Sequence, residues 1–215
     1  MNKLWVFGDS FSEPYDSETS KFYWSENYLN WKGYVPKNYT HIMSEELNCQ
    51  LMNFSLTASN NYQIFQDFCD NINNINNNDY VIIQWTEYHR FRLVDDNNQW
   101  KHFTAHNNWS KYNLNKITDV SFETILQILV NRNNQQYRNE VISWEKLIKS
   151  KISPDKLIIW NPFDIIGNGM FVKSLETIDD ETNNEIRDLH FSEKGNIQLS
   201  EILLKKLTGQ NQNII

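Results

Sequence analysis

Short apolar runs alternate along this chain with longer stretches of helical periodicity. Runs dominated by apolar residues at Leu4–Phe7, Tyr80–Trp85 and Lys156–Trp160 are typical of strands buried on both faces of a parallel sheet. A shorter strand is predicted at Gln50–Asn53. Apolar positions three and four residues apart predict helices over about 38–47, 60–72, 122–150 and 192–207. The alternation predicts an α/β fold, a parallel sheet with helices on both faces.

Long polar stretches interrupt this pattern. Residues 12–36 carry Trp and Tyr among polar residues without a clear period, which predicts a long loop after the first strand. A second long loop is predicted at 163–185, and an insertion or lid at about 91–120. The polar run Asn131–Asn139 is expected to break the 122–150 stretch into two helices. With 215 residues, the chain is expected to form one domain over 1–215.

The charge balance limits the kinds of partner. The chain has 27 acidic and 20 basic residues, and its formal net charge of -7 disfavours nucleic acid or an anionic membrane as a partner. Cys49 and Cys69 show neither metal-ligand spacing nor a disulfide framework, so we expect free thiols in a reducing compartment. No signal peptide precedes the first strand and no apolar run is long enough to cross a membrane, so a cytoplasmic protein is expected, with a virion or another location reached without a signal peptide as the alternative.

The first strand runs directly into Gly8-Asp9-Ser10, the first candidate for chemistry. Glycine permits a sharp turn or a close approach to another group. Ser10 is therefore predicted at the carboxyl end of the strand, where ligands bind in open α/β sheets. A helix beginning there would direct free N–H groups toward a developing anion. Asp and Ser are also common helix caps, so the local sequence leaves a purely structural role open.

A second candidate group lies near the other end of the chain, where Asp188 and His190 precede the last predicted helix. Together with Ser10 they supply a nucleophile, a general base and a residue that orients the base. His102 and His106 have a spacing that suits a metal on a helix, but no carboxylate or Cys completes the set. Neither a metal nor another cofactor is therefore expected.

These groups resemble the sequence blocks of the SGNH, or GDSL-type, hydrolase family. Phe7–Ser12 matches the first block, which carries the nucleophilic serine. Asn53–Asn60 resembles the second block, and Asp188 with His190 matches the last block, which carries the other two triad members. The resemblance consists of separate short motifs spread over the whole chain, not of continuous similarity. It implies a three-layer, flavodoxin-like parallel sheet with helices on both faces.

The resemblance implies a catalytic triad. Ser10 would be the nucleophile, His190 the base, and Asp188 the residue that orients His190. The family spaces the last two as Asp-x-x-His, whereas this chain has Asp-x-His. A backbone carbonyl that holds His190, or Glu185 in place of Asp188, is therefore kept as an alternative.

The resemblance also implies donors to the oxyanion of the reaction. In the family, the backbone N–H of a second-block Gly serves this purpose, and Ala58 at that position keeps the N–H. The Asn side chain of the family's third block is absent after the Tyr80–Trp85 strand. Thr86, Tyr88 and Arg90 are candidate donors from the same turn, with Thr86 favoured. The predicted oxyanion- and substrate-binding residues are therefore Ala58, Thr86, Asp9 and Asn60.

The implied function is that of a serine ester hydrolase, an acyl or acetyl esterase. Its expected partner is a small-molecule or carbohydrate-linked ester. Two alternatives stay open at this point. One is an acyltransferase of the same fold, in which a sugar or other alcohol replaces water, and the other is a non-catalytic binding or structural protein of that fold.

Overall fold

The computed structural model describes residues 1–15, 29–57, 59–87, 90–94, 100–104, 134–162, 167–172, 175–183 and 189–209. The strands are β1 (Lys3–Phe7), β2 (Gln50–Asn53), β3 (Tyr80–Gln84), β4 (Arg90–Val94), β5 (Trp100–Thr104), β6 (Leu157–Asn161) and β7 (Met170–Phe171). The helices are α1 (Tyr39–Glu46), α2 (Asn61–Asn71), α3 (Asn134–Lys151), α4 (Ile178–Glu181) and α5 (Glu193–Leu207). Short 3₁₀ turns lie at Ile72–Asn74 and Pro154–Lys156.

Five of these strands form one parallel sheet in the order β2-β1-β3-β6-β7. β1 lies inside it, with Trp5 opposite Met52 on one side and Val81 on the other. This is the strand order of flavodoxin-type sheets, in which the direction of strand addition reverses between β1 and β3. The carboxyl ends of β1 and β3 therefore border the crevice where such sheets bind ligands. β4 and β5 form a separate antiparallel hairpin.

Alternate residues of the strands contribute to two different apolar clusters, because neighbouring side chains point to opposite faces of a sheet. One face buries Trp5 and Phe7 against α2 and α3. The other face buries Leu4 and Val6 against α1 and α5. The prediction of a parallel α/β sheet covered by helices on both faces is thus confirmed.

Polar side chains set the starts of the helices. The Oδ1 atom of Asn38 caps α1, and the Ser192 hydroxyl accepts a hydrogen bond from the N–H of Gly195 at the start of α5. These contacts place the helix starts within one residue of their predicted positions. In the described parts of the chain, the helices are all too short or too polar to cross a lipid bilayer.

The structure departs from the sequence prediction in the Asn-rich part of α3. That helix already begins at Asn134, so residues 134–139 are helical and do not form the predicted break. Tyr137 and Val141 are buried in the core cluster, and this burial outweighs the weak helix propensity of Asn. Residues 122–133 lie outside the described residues.

The predicted long loops also contain regular structure. β7 and α4 lie within 163–185, and a helical turn occupies 29–32 within the predicted loop 12–36. All three elements are too short to produce a recognisable period. The predicted insertion at 91–120 begins with the β4–β5 hairpin, and most of its remainder lies outside the described residues.

Asp79 joins the starts of β1 and β3. It is buried, and its two oxygens accept hydrogen bonds from the N–H of Lys3 at 2.9 Å, the indole of Trp5 at 3.0 Å and the N–H of Asn76 at 2.9 Å. Burial alone would raise the pKa of Asp79, but the hydrogen bonds from Asn76, Trp5 and Lys3 together hold the pKa below its ordinary value. The ionised carboxylate therefore stabilises the folded sheet.

Replacing Asp79 by Asn should lower the free energy of unfolding at pH 7 by about 1.5–3 kcal/mol, because hydrogen bonds to a charged acceptor are lost. Because the pKa of Asp79 is lowered in the folded state, wild type has its full extra stability at pH values above the unfolded-state pKa of about 3.9. The advantage disappears as the pH falls through the folded-state pKa. Urea unfolding of both proteins over this pH range measures the difference.

Asp70→Asn is the matched control, because Asp70 lies at an exposed position of α2. It should change the free energy of unfolding by no more than about 0.5 kcal/mol. If the difference in free energy of unfolding between wild type and Asp79→Asn does not become smaller at low pH, the stabilising role of the ionised Asp79 carboxylate is contradicted.

Candidate active site

The turn after β1 carries Ser10. The carbonyl of Asp9 accepts hydrogen bonds from the N–H groups of Ser12 and Glu13, both at 3.0 Å, so one helical turn begins at Ser10. Ser10 is 5 % exposed and lies just beyond the carboxyl end of β1. The predicted position of this serine at the end of the strand agrees with the structure.

A glycine is required at position 8 because this turn lies very close to the end of β3. A Cβ at residue 8 would lie 2.6 Å from Oε1 of Gln84 and 2.9 Å from Cβ of Ser12. Oε1 of Gln84 accepts a hydrogen bond from the N–H of Asp9 at 2.8 Å. Any larger residue at position 8 would push Gln84 away from the turn that it supports.

Ser12, the other serine of the turn, belongs to an internal network. Its hydroxyl donates to Oε1 of Gln84 at 3.0 Å and lies 2.6 Å from the hydroxyl of Tyr39. Burial raises the pKa of Tyr39 well above its ordinary value, so Tyr39 is a neutral phenol that donates to Ser12. Because Ser12 is fully buried and its proton is bound, Ser10 is the serine of this turn that suits a nucleophile.

Asp9 is a fully buried carboxylate held by three groups. Its Oδ1 accepts from the N–H of Phe11 at 3.0 Å. Its Oδ2 accepts from the hydroxyl of Thr86 at 2.5 Å and forms an ion pair of 2.9 Å with Nη1 of Arg90. Asp9 was predicted to bind substrate, whereas these contacts engage both of its oxygens with protein groups and tie the Ser10 turn to the loop after β3.

The contact with Asp9 does not fit the predicted role of Thr86 as an oxyanion donor. A hydroxyl has one proton, and that of Thr86 is directed at Asp9 from a fully buried position. A buried carboxylate is the stronger acceptor, which explains the preference. Sequence spacing placed Thr86 in the correct loop but gave no indication of this partner.

The loop between β2 and α2 is fastened to the Ser10 turn. The N–H of Leu56 donates to the carbonyl of Gly8 at 3.2 Å. Both the N–H and the hydroxyl of Thr57 donate to Oε2 of the buried Glu13, at 2.7 and 2.8 Å. Ala58 follows immediately but lies outside the described residues, so its N–H as an oxyanion donor stays a prediction.

Asn60 and Asn61 begin the helix that follows this loop. Oδ1 of Asn60 accepts from the N–H of Gln63 at 2.9 Å and caps α2. The side chain of Asn61 bonds to Thr86 in both directions, accepting from its N–H at 2.7 Å and donating to its carbonyl at 2.8 Å. The start of α2 is thereby held at the end of β3.

His190 is brought to the Ser10 turn from the far end of the chain. Its ring stacks on that of Phe11, the residue after Ser10, with 4.7 Å between ring centroids. The hydroxyl of Tyr15 donates to the carbonyl of Phe191 at 2.9 Å and secures the same segment. Nε2 of His190 is buried. Asp188 lies outside the described residues, so its contact with His190 stays a prediction.

Asn196 fixes the His190 segment to the rest of the fold. Its amide donates to the carbonyl of Phe191 at 3.1 Å and to the hydroxyl of Tyr15 at 3.2 Å. Its Oδ1 accepts from the N–H of Tyr39 at 3.0 Å. Sequence reasoning missed this residue, although a polar residue among the apolar positions of the last helix was a usable signal. Gln84 at the end of an apolar strand gave a similar signal.

Metal ligation has no support in the parts of the chain that the structure describes, where no group of three or more His, Cys, Asp or Glu residues could hold an ion. His106 and Tyr88 lie outside the described residues, and of His102 only the backbone is described. Glu185, the alternative partner of the base, also lies outside them.

No family model and no curated protein matches the chain. Among solved structures, the chain is similar to that of LAE5, described as an alpha/beta hydrolase enzyme from the metagenome of Lake Arreo, Spain. The two share 11 % sequence identity with a TM-score of 0.45, over 98 % of this chain and 97 % of that chain.

Arg90→Gln should lower the free energy of unfolding by about 3–5 kcal/mol, because it leaves the buried Asp9 carboxylate without its cationic partner. Adding Asp9→Asn to this variant should restore part of the loss, since no unpaired charge then stays buried. Urea unfolding at neutral pH measures both effects.

Lys37→Gln is the control for this prediction. It breaks an ion pair of 2.6 Å with Glu45 in which both side chains are 60 % exposed. Such a pair contributes no more than about 1 kcal/mol. Equal losses in the free energy of unfolding for Arg90→Gln and Lys37→Gln would show that the buried Asp9–Arg90 ion pair stabilises the fold no more than an exposed pair does.

Proposed function

We propose that the protein is a serine ester hydrolase in which Ser10 is the nucleophile and His190 the general base. The observation that carries the proposal is the stacking of the His190 ring on Phe11, 4.7 Å away, beside a serine at the carboxyl edge of the sheet. These two segments come from opposite ends of the chain. Their proximity supports the proposal, because a serine hydrolase needs its serine and its histidine on neighbouring segments.

The proposed reaction is acyl transfer through a covalent intermediate. Oγ of Ser10 attacks the ester carbonyl while His190 takes the serine proton, and a tetrahedral oxyanion forms. The intermediate collapses to an acyl-enzyme as His190 returns the proton to the leaving alcohol. Water, deprotonated by His190, then attacks the acyl group, and His190 returns the proton to Oγ of Ser10 as the bond to Ser10 breaks and the carboxylic acid leaves.

Backbone N–H groups are proposed to stabilise the oxyanion. The N–H of Ser10 lies at the first position of a helical turn, where N–H groups have no partner within the helix. The N–H of Ala58 is the proposed second donor. This proposal is supported by the bonds that fasten the preceding residues Leu56 and Thr57 to Gly8 and Glu13.

A carbohydrate-linked ester is the proposed substrate class. The chain at 29–34 lies against the first turn of α5, where Lys32 pairs with Glu193 at 3.2 Å and the hydroxyl of Tyr34 donates to Glu193 at 2.7 Å. This holds Tyr34 and Lys32 at Glu193, a short way along the chain from His190, while the rings of Trp31 and Tyr34 are 42 % and 48 % exposed. Aromatic rings with polar edges offer both an apolar face and hydrogen bonds to a sugar.

Ser10→Ala should reduce hydrolysis of p-nitrophenyl acetate by about a thousandfold or more, because the covalent step is lost. Ser143→Ala, which changes an exposed serine of α3, should leave the rate unchanged. Circular dichroism of both variants should match wild type. Undiminished turnover in folded Ser10→Ala would exclude Ser10 as the nucleophile, and an inactive wild type would favour a non-catalytic binding protein.

Asp188→Asn should lower kcat by about 10⁴-fold if Asp188 orients His190, because the imidazole would then take the wrong tautomer. Glu185→Gln, the matched variant three residues earlier, should keep the wild-type rate. Both variants are compared with wild type by measuring kcat and the pH profile of kcat/KM. A small effect of Asp188→Asn would indicate a Ser-His dyad held by a backbone carbonyl if Glu185→Gln is also fully active, and Glu185 as the orienting residue if Glu185→Gln loses activity.

A further inference from the structure

The loop before α2 contains a cluster of buried polar atoms that the described protein groups do not satisfy. Nδ2 of Asn60 and the hydroxyls of Ser55 and Ser59 are buried, and none of the described residues offers them a hydrogen-bond partner. Asn60 is 2 % exposed and Ser59 fully buried. Buried polar groups in proteins are nearly always paired, so this cluster points to a polar ligand.

The amide of Asn60 is held in one orientation. Its Oδ1 accepts from the N–H of Gln63 at 2.9 Å, as the cap of α2. Since the oxygen and nitrogen of a planar amide point in different directions, the bond to Oδ1 also fixes the direction of Nδ2, which is not used in capping the helix. A donor fixed in this way needs no reorganisation when a charge develops opposite it.

The segments on either side of Asn60 are both tied to the turn that carries Ser10. On the N-terminal side, Leu56 bonds to the carbonyl of Gly8. On the C-terminal side, Asn61 holds Thr86, which in turn bonds to Asp9. Asn60 therefore lies between two segments that are both joined by hydrogen bonds to the Ser10 turn. The amino end of α2, an eleven-residue helix, adds its partial positive charge at the same place.

We infer that the side-chain amide of Asn60 donates a hydrogen bond to the oxyanion formed when Ser10 attacks the substrate. This inference rests on the proposed esterase function and assigns Asn60 as a catalytic residue. It supplies the side-chain donor that Thr86 does not, because the Thr86 proton is bound to Asp9. In the ground state the amide faces the neutral carbonyl oxygen, and its hydrogen bond strengthens as the negative charge forms.

Asn60→Ser and Asn60→Asp test this inference, since both keep an oxygen that caps α2 and both remove the N–H donor. Each should lower kcat for p-nitrophenyl acetate by about 100- to 1000-fold with KM changed by no more than about twofold. The loss should be larger for Asp, which places a negative charge beside the oxyanion. Asp is a cap of similar strength to Asn, so this variant keeps the helix start.

Asn71→Ser is the matched control at the other end of the same helix. Nδ2 of Asn71 donates to the carbonyl of Asp67 at 2.9 Å, remote from the Ser10 turn. This variant should keep the wild-type kcat. Thermal unfolding of all three variants separates a structural role of Asn60 from a catalytic one.

Phenylboronic acid provides a readout besides activity, because it forms a tetrahedral adduct with a reactive serine. Its Kd should rise in Asn60→Ser by a factor similar to the loss in kcat. Wild-type levels of kcat and of boronic acid affinity in both Asn60 variants would overturn the inference and mark the buried amide as bound to water. If Ser10→Ala keeps its activity or wild type binds no boronic acid, the proposed function fails first and Asn60 loses its role with it.

Discussion

The buried carboxylate of Asp9 is the constraint on which the candidate site depends. A carboxylate without solvent is strongly unfavourable unless donors surround it. The chain supplies the N–H of Phe11 from the same turn, the hydroxyl of Thr86 from the loop after β3, and the guanidinium of Arg90 from the start of β4. Satisfying one charge thereby fixes the turn that carries Ser10 against two other segments.

Side-chain amides extend this arrangement without adding charge. Gln84 accepts hydrogen bonds from the turn after β1, Asn61 bonds to Thr86 in both directions, and Asn196 joins the His190 segment to the start of α1. An amide carries both donors and an acceptor, so a buried one can bridge two backbone segments with its polar atoms satisfied. The apolar clusters hold the helices on the sheet, whereas these amides set the positions of the loops at its carboxyl edge.

Much of the fold could be predicted from the sequence because its central strands are apolar runs and its helices begin at polar caps. The contacts of the site could not, because they depend on strand order. Gln84 closes an apolar strand, but that it supports Asp9 follows only once β1 and β3 are neighbours. Thr86 was placed in the correct loop, yet the destination of its proton is a residue 77 positions away. The helical Asn-rich start of α3 likewise depends on the burial of Tyr137 in the core.

The hydrogen bond from Tyr15 to the carbonyl of Phe191 joins residues 176 positions apart. Closing so long a loop is entropically costly, and contacts of this kind form late during folding. Ser10 is synthesised before the segment that carries His190, so the two segments cannot meet until the intervening chain has been made. A nascent chain can therefore assemble β1, β2 and β3 first, and the His190 segment reaches the Ser10 turn only when α5 docks.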